Sequence, residues 1–273
     1  MAATVWKGFI SFGLVSIPVR LYSGARGKTI SFHLLHKKDN SRIHEVMYCN
    51  TEDKPVERAD LVKGYEYRKG RYVVVTPAEI KAATPATEKV MEILEFVKGD
   101  EIDPIYFEAS YYVAPDANGQ KPYALFLEAL RQSKYDGLAK MTMHGREHVV
   151  ILRPSERGIM LHTMYYADEV RNVAEFTPHR NLVAEKELKL AKTLIDSQVT
   201  KFKPEKYRDT FRQNLEKLVA AKAKGKEVKP VEEKKVDKVV DIMEALQKSL
   251  EAKKSVHSQR KTATKPTSSR KRA

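Results

Sequence analysis

The first two-thirds of the chain is dominated by short runs in which apolar and polar positions alternate, or in which β-branched and aromatic residues accumulate, as in β-strands. Residues 4–12 and 14–22 are two such runs, separated only by Gly13. Residues 65–75 predict a hairpin that turns at Lys69-Gly70. Further strands are predicted over residues 29–36, 42–49, 89–97, 106–113, 138–143, 148–152 and 159–165.

Two helices interrupt these strands. Thr76-Pro77-Ala78-Glu79 is a capping box with proline at the first helical position, which predicts a short helix. Residues 121–133 place apolar side chains three and four positions apart, the spacing of an amphipathic helix. Many strands with few helices predict a mainly β fold with some α, either a barrel or a sandwich. A doubly wound fold is disfavoured because strands and helices do not alternate strictly.

After Pro178 the apolar residues follow a helical period. They predict one helix over residues 186–202 and a second, starting at Pro204, over residues 205–218. Gly225 and Pro230 mark a linker, and residues 236–250 carry a third apolar stripe, interpreted as packing on the body or on another chain. Residues 252–273 contain eight Lys and Arg and no acidic residue, so we expect this tail to be disordered.

The charge of +14 is unevenly distributed along the 273 residues. Residues 1–220 hold 34 basic and 29 acidic side chains, whereas residues 221–273 hold 16 basic and 7 acidic ones. The body is therefore nearly balanced and the C-terminal part is strongly basic. A basic segment of this kind favours a polyanionic partner, either nucleic acid or an anionic membrane surface.

Other counts exclude several classes of protein. The single cysteine, Cys49, excludes a disulfide framework and a zinc site built from a cysteine pair of one chain. No run of 18 apolar residues is present, and the N-terminal sequence lacks the features of a signal peptide. We therefore expect a soluble cytoplasmic protein in a reducing compartment.

Three motifs suggest an enzyme only superficially. Residues 24–29 resemble the end of a phosphate-binding loop, but Tyr22 stands where that motif needs its first glycine. His144-Gly-Arg-Glu147-His148 matches a zinc-peptidase motif, but Gly145 and its β-rich flanks predict a hairpin turn instead of a helix. Cys49 lacks a local basic environment that would lower its pKa, so we interpret it as an idle or buried thiol. No catalytic residue is predicted.

Longer motifs are spread along most of the chain. They are Trp6-Lys-Gly-Phe-Ile-Ser-Phe-Gly-Leu-Val-Ser-Ile-Pro-Val-Arg-Leu-Tyr22, Lys63-Gly-Tyr-Glu-Tyr67, Glu101-Ile-Asp-Pro-Ile-Tyr-Phe107, Gly145-Arg-Glu-His148 with Leu152-Arg-Pro154, Tyr166-Ala-Asp-Glu-Val-Arg171, Phe202-Lys-Pro-Glu-Lys-Tyr207 and Asp241-Ile-Met-Glu-Ala-Leu246. Together they resemble bacterial Ku, the DNA-end-binding protein of non-homologous end joining, and they occur in the family's order between about residues 4 and 251. One departure is that Cys49-Asn-Thr-Glu52 stands where some relatives carry a Cys-x-x-Cys pair, so no metal is expected there.

The resemblance implies a Ku-type β-barrel core with an arch or bridge insertion, followed by C-terminal helices. It implies a homodimeric ring, threaded by a double-stranded DNA end without sequence specificity, that recruits the multidomain ATP-dependent DNA ligase, ligase D. It implies neither catalysis nor a cofactor, and we expect the protein to be cytoplasmic and nucleoid-associated when it is bound to DNA. The expected domains are residues 1–180 for the core and bridge, 181–225 for a helical arm that makes dimer contacts and recruits the ligase, 226–251 for a linker and amphipathic helix, and 252–273 for the tail.

A ring that loads on any broken end is expected to contact phosphates and sugars through Lys and Arg, since these contacts carry no sequence information. For each of these residues the alternative is an ordinary solvated charge. The candidates in the body are Lys37, Lys38, Arg42, Lys63, Arg68, Lys69, Arg71, Arg146 and Arg153. The candidates in the tail, which would add unspecific DNA affinity, are Lys253, Lys254, Arg260, Lys261, Lys265, Arg270, Lys271 and Arg272.

The apolar faces of the two C-terminal helices supply candidate protein contacts. Tyr207, Phe211, Leu215 and Leu218 are assigned to ligase binding, with packing against the neighbouring helix as the alternative. Leu188, Ala191, Ile195 and Val199 are assigned to dimer contacts.

Three further alternatives remain open. Tyr65, Tyr67 and Tyr72 are interpreted as core residues, with base stacking as the alternative. The chain could also be a general architectural or RNA-binding protein that depends on its tail, or a zinc hydrolase that uses His144, Glu147 and His148.

Overall fold

Seven strands of the N-terminal part close into a barrel in the computed structural model of the chain. The structure describes residues 3–83, 89–171, 183–226 and Ala245. The chain divides into two units, residues 1–172 and 173–273. In chain order the strands and helices are β1 (Thr4–Phe12), β2 (Val15–Ser23), β3 (Tyr48–Cys49), β4 (Lys54–Pro55), β5 (Lys63–Arg68), β6 (Arg71–Val75), α1 (Pro77–Ala82), β7 (Val90–Lys98), β8 (Phe107–Pro115), α2 (Gln120–Ser133), β9 (Tyr135–Met143), β10 (Arg146–Ser155), β11 (Gly158–Met164), α3 (Glu185–Asp196) and α4 (Thr210–Ala223).

Around the barrel the strand order is β1-β2-β8-β11-β10-β9-β7, and β7 returns beside β1 as its parallel neighbour. The other neighbouring pairs are antiparallel. Alternate side chains of each strand point into the barrel, as in Trp6 and Ile10 of β1 and Ile17 and Leu21 of β2, all of which are buried. The interior is therefore filled by side chains.

Helix α2 is fastened to the barrel by a buried tyrosine. The Tyr123 hydroxyl donates to the carbonyl of Val113 at 2.8 Å and accepts from the amide of Ile159 at 2.9 Å. The phenol thereby connects β8 and β11 to the helix, and both hydrogen-bonding functions of the hydroxyl are satisfied. Phe126 and Leu130 of the same helix face are also buried, as the predicted amphipathic pattern requires.

A partly buried ion pair holds two neighbouring barrel strands together at their ends. Arg153 Nε of β10 lies 2.7 Å from Asp136 Oδ2 of β9, whose side chain is only 9% exposed. The guanidinium also donates to the carbonyl of Gly99 at 3.3 Å and lies 5.6 Å from the Phe107 ring centre. Gly99 packs directly on the pair, because a Cβ at that position would lie 2.6 Å from Asp136 Oδ2.

Asp116 forms a second charged cluster on the outside of the barrel. Its carboxylate lies 3.0 Å from Lys7 Nζ and accepts a hydrogen bond from Arg20 Nη2 at 2.6 Å. Lys7, the amide of Ala117 and Arg20 hold the pKa of the carboxyl well below its usual range. The cluster joins β1 and β2 to the chain that follows β8.

Replacing Asp116 by Asn is expected to lower stability in a pH-dependent way. Because the pKa of Asp116 is depressed in the folded state, its contribution is complete above the unfolded value of about 3.9 and is lost as pH falls below it. Urea unfolding of both proteins at about pH 6 and about pH 3 measures this. The gap between their unfolding free energies should shrink at the lower pH, and an equal gap at both pH values would contradict the assignment.

The barrel, the hairpin at Lys69-Gly70, the capping box at Thr76 and the turn at Gly145 are confirmed as predicted. The strands predicted over residues 29–36 and 42–49 were wrong. That region contains one isolated bridge, Leu35 with Arg42, and the two-residue strand β3. Among the described residues no barrel strand pairs with this β-rich segment, and β propensity depends on such packing.

Both predicted C-terminal helices had wrong boundaries. Helix α3 ends at Asp196 instead of residue 202, since Val199 and Thr200 are β-branched and Pro204 disfavours helix at the residue before it. Helix α4 begins at Thr210, capped by the Asp209 carboxylate, which accepts from the amide of Arg212 at 2.9 Å. The apolar stripe and the tail expected over residues 236–250 and 252–273 lie outside the described residues, apart from Ala245.

Candidate nucleic-acid interface

A long insertion leaves the barrel after β2 and returns to it at β7. None of its described residues, 24–83, is buried. The same residues contain 12 basic and 8 acidic side chains, a net charge of +4. Since residues 1–220 carry a net +5, nearly all the excess charge of the body lies in this exposed segment. We call residues 24–83 the basic arm.

Lys37 and Lys38 lie in a turn near the start of the basic arm. The turn is closed by hydrogen bonds of 2.8 Å from His36 N to Ser41 O and from Asn40 N to His36 O. The Asp39 carboxylate accepts from the Ser41 amide and hydroxyl and contacts His36, and these contacts lower its pKa. Both lysines are exposed. The turn is therefore held by local polar contacts while its two cations face solvent.

Arg42, the third candidate of this region, forms the isolated β-bridge with Leu35. Its Nη2 lies 3.1 Å from His33 Nδ1, and the residue is exposed.

The next feature along the arm is the short β3-β4 pair around Cys49. Cys49 is half-buried, and hydrogen bonds from the Glu52 and Thr51 amides lower the pKa of its thiol. The sequence did not predict a lowered thiol pKa, because that prediction considered only basic side chains near Cys49. The lowering comes from backbone amides.

Four of the candidate cations meet in the hairpin formed by β5 and β6. Lys63 and Arg68 belong to β5, Arg71 begins β6, and Lys69 lies in the turn with Gly70. Gly70 has φ +75°, which glycine adopts at no steric cost, and its amide donates to Glu66 Oε1 at 2.7 Å. The only acidic residue of the hairpin therefore accepts a hydrogen bond that closes its turn.

The tyrosines of this hairpin are not core residues, so that interpretation was wrong. Tyr65, Tyr67 and Tyr72 are 69%, 51% and 63% exposed. A two-stranded sheet has no interior of its own, so alternation within it does not imply burial. Residues 63–75, all of which are described, include no buried side chain.

Arg146 and Arg153 lie on the barrel strand β10 and are paired with carboxylates. Arg146 Nη2 donates to Glu169 Oε1, and this contact raises the pKa of the guanidinium. The pKa of the Glu169 carboxyl is lowered, first by the hydrogen bond from the Tyr166 amide and then by that from Arg146. Arg153 is held by Asp136 as described above. These two candidates therefore differ from the solvated cations of the basic arm.

The candidate protein contacts lie in the second unit. Leu188 and Ile195 are exposed on α3 and Ala191 is half-buried, whereas Val199 follows the end of the helix. Phe211 is exposed at the start of α4, and Leu215 and Leu218 are half-buried on it. Tyr207 precedes α4 and its ring stacks on Phe202, with 5.9 Å between centroids.

All eight candidate cations of the tail lie outside the described residues. Within the described ranges, no group of three or more His, Cys, Asp or Glu side chains could hold a metal ion. His144 lies in the turn between β9 and β10 and His148 within β10, so the helix that the peptidase motif needs is not formed. No helix in the described part of the chain is long and apolar enough to span a membrane.

The family model described as "Ku70/Ku80 beta-barrel domain" matches residues 11–193. The chain belongs to the Ku family.

Relatives named "Non-homologous end joining protein Ku" occur in several organisms. The relative from Koribacter versatilis is 52% identical, covering 93% of this chain and 88% of the relative. The one from Solibacter usitatus is 49% identical, covering 93% and 96%, and the one from Bacillus subtilis is 44% identical, covering 91% and 81%. Among solved structures, the SPOC domain of human PHD-finger protein 3 aligns with a TM-score of 0.30 and 12% identity, covering 59% of this chain and 95% of that chain, which is too weak to support an argument.

Cations of the basic arm were predicted as candidates from the sequence, but the concentration of the excess charge in this segment was not predicted. The signal was present, because the +4 of residues 24–83 can be counted from the sequence. It required the boundaries of the insertion, which β2 and β7 define only once the barrel is known. The exposure of the hairpin tyrosines had no sequence signal that distinguished it from burial.

Proposed function

We propose that this protein binds double-stranded DNA ends without sequence specificity, as a homodimeric ring, in the non-homologous end joining of double-strand breaks. The observation that carries the proposal is the basic arm: an exposed 60-residue insertion that holds most of the body's excess charge, on a barrel of the Ku family. The relatives are named for end joining, and a protein of that pathway meets DNA at its broken ends.

The proposed contacts are between arm cations and phosphates. Lys37, Lys38 and the hairpin cations are exposed, so their ammonium and guanidinium groups are accessible to a backbone. Phosphate contacts position a protein on DNA without reading its sequence. Each neutralised phosphate releases counterions, so the affinity should fall with salt at a log–log slope of about −0.9 per contact. Two copies would supply two arms to one duplex.

The second unit supplies the proposed protein contacts. We assign Leu188, Ala191, Ile195 and Val199 to the contact between two copies. The exposed start of α4 at Phe211, with Leu215, Leu218 and the neighbouring Tyr207, is assigned to the recruitment of ligase D. Amphipathic helices with an uncovered apolar face commonly bind in a partner's groove. The protein itself would contribute no catalytic step, and it would act in the cytoplasm on the nucleoid, with the tail cations adding unspecific affinity.

End binding predicts a preference for linear DNA. The chain lacking residues 252–273 should bind a linear duplex far more tightly than a covalently closed circle of equal length, and at least about tenfold is expected for a ring that needs a free end. Competition binding at one salt concentration measures this, because the salt strongly affects absolute affinity. Equal affinity for both forms would contradict the proposal. Loss of most binding with the tail would favour the general architectural or RNA-binding alternative.

The proposed dimer contact can be tested on α3. Replacing Leu188 and Ile195 together by Glu should convert the dimer to a monomer, because two carboxylates would have to be buried in an apolar contact. Sedimentation equilibrium measures the change in mass. The control replaces Lys186 by Gln and Thr193 by Glu, which changes the charge equally on another side of the same helix. A variant that remains dimeric would remove α3 from the interface.

A further inference from the structure

The hairpin of the basic arm combines exposed aromatic rings with cations in a way that duplex binding alone does not require. Residues 63–75 present Tyr65, Tyr67 and Tyr72 beside Lys63, Arg68, Lys69 and Arg71, with Glu66 as the only acid. Val73 and Val74 are also more than half exposed. An isolated two-stranded hairpin is only marginally stable in water, so a binding partner that covers this surface would stabilise it.

The tyrosines occupy both faces of the hairpin. The strand register pairs Tyr65 with Val73 and Glu66 with Tyr72, so Tyr65 and Tyr72 lie on opposite faces. Tyr72 packs against the backbone of Gly64, where an added Cβ would lie 3.5 Å from the Tyr72 Cβ. The same register places the cations Lys63 and Arg71 on the face of Tyr65. The face of Tyr72 carries Glu66. The net charge of +3 on the hairpin selects a polyanion over an acidic or purely apolar partner.

Intact duplex DNA offers phosphates to the cations but no flat apolar surface to the rings. Its base faces are covered by stacking, and become accessible only at an end or in unpaired nucleotides. Aromatic side chains beside a basic surface are the combination that binds single-stranded nucleic acid, because every base has a face on which a ring can stack. A protein that binds broken ends meets such nucleotides at frayed ends and overhangs.

We propose that the β5-β6 hairpin is a binding site for unpaired nucleotides at a DNA end, with Tyr65, Tyr67 and Tyr72 stacking on bases and the neighbouring cations contacting their phosphates. This inference rests on the proposed function, because it supposes that a DNA end reaches the arm. It adds a preference among ends: an end with a single-stranded extension is bound more tightly than a blunt one.

The experiment compares three ligands on the full-length protein. They are a blunt duplex, the same duplex with a single-stranded extension of about ten nucleotides, and that duplex with an abasic extension of equal length and charge. The base-containing extension should be bound about tenfold more tightly than the abasic one, which corresponds to about 1.4 kcal/mol, within the range for one stacked base. No difference between these two extensions would overturn the inference.

Two variants separate stacking from other roles. Replacing the three tyrosines by Val, which suits a strand, should abolish the preference for bases while blunt-end affinity changes less than about threefold. Replacing them by Phe keeps the rings and should keep the preference. If the Val variant instead becomes monomeric and loses blunt-end binding, the hairpin covers a second copy and the inference is wrong. If the wild-type protein fails to bind blunt ends at all, it is the proposed function that fails.

Discussion

Replacing Lys63, Arg68, Lys69 and Arg71 together by Gln is expected to weaken the binding of a blunt duplex by about 100-fold at 0.1 M salt. The reason is the release of counterions from each phosphate that a cation neutralises. Two lost contacts account for that factor and would reduce the log–log salt slope by about 1.8. Titrations at four or five salt concentrations measure the affinity and the slope together.

A matched control has the same change in charge elsewhere in the first unit. Lys98, Lys121, Lys134 and Arg157 are exposed and lie outside the basic arm. Replacing these four by Gln should alter the affinity and the salt slope far less. An equal loss in both variants would mean that net charge, not the position of the hairpin cations, determines binding.

Replacing Arg153 by Leu is expected to destabilise the barrel by about 2–3 kcal/mol, less than the about 3–5 kcal/mol for a fully buried ion pair, because the Arg153 side chain is 33% exposed. Asp136 would remain buried with no counter-charge. Burial already raises the pKa of this carboxyl while Arg153 lowers it, so the pKa should rise further in the variant. Since the folded pKa would lie above the unfolded one, the destabilisation should increase as pH rises above the unfolded value and level off above the folded value.

The matched variant replaces both partners. Arg153→Leu with Asp136→Leu removes both charges, and such replacements are often close to neutral. The double variant should therefore unfold at a urea concentration nearer to that of the wild-type protein than the single variant does. An additive loss in the double variant would contradict the assigned pair. The DNA affinity of the folded double variant would also show whether Arg153 contacts DNA in addition to Asp136.

The barrel could be predicted from the sequence because its strands are buried on one face only. Residues 4–12 and 14–22 alternate regularly, and the buried side chains of β1 and β2 are those that the alternation selects. Helix α2 was equally clear, since its apolar spacing and its buried face coincide. In these elements the local pattern and the tertiary packing agree.

The basic arm could not be predicted in the same way. Residues 29–49 have the composition of strands but lie outside the barrel, with only the Leu35–Arg42 bridge and the β3-β4 pair. The tyrosines of the hairpin alternate like core residues and are exposed. Strand composition alone does not show whether a neighbouring strand is present, and the described arm residues pair only within the arm.

The ends of α3 and α4 were also not predicted correctly from the sequence pattern. The apolar spacing that continues from Ile195 to Phe202 predicted one long helix, although α3 stops at Asp196. Tyr207 fitted the stripe of the next helix but precedes it, stacked on Phe202. Spacing alone does not contain the backbone conditions that β-branched residues and Pro204 impose.

The most direct test of the central claim is whether DNA must be threaded through the protein by its end. A short linear duplex is prepared with both ends free, with one end blocked by a bulky group, or with both ends blocked. We predict a protected footprint on the first two molecules and none on the third, although all three carry the same phosphates. An equal footprint on the doubly blocked duplex would contradict end binding by a ring.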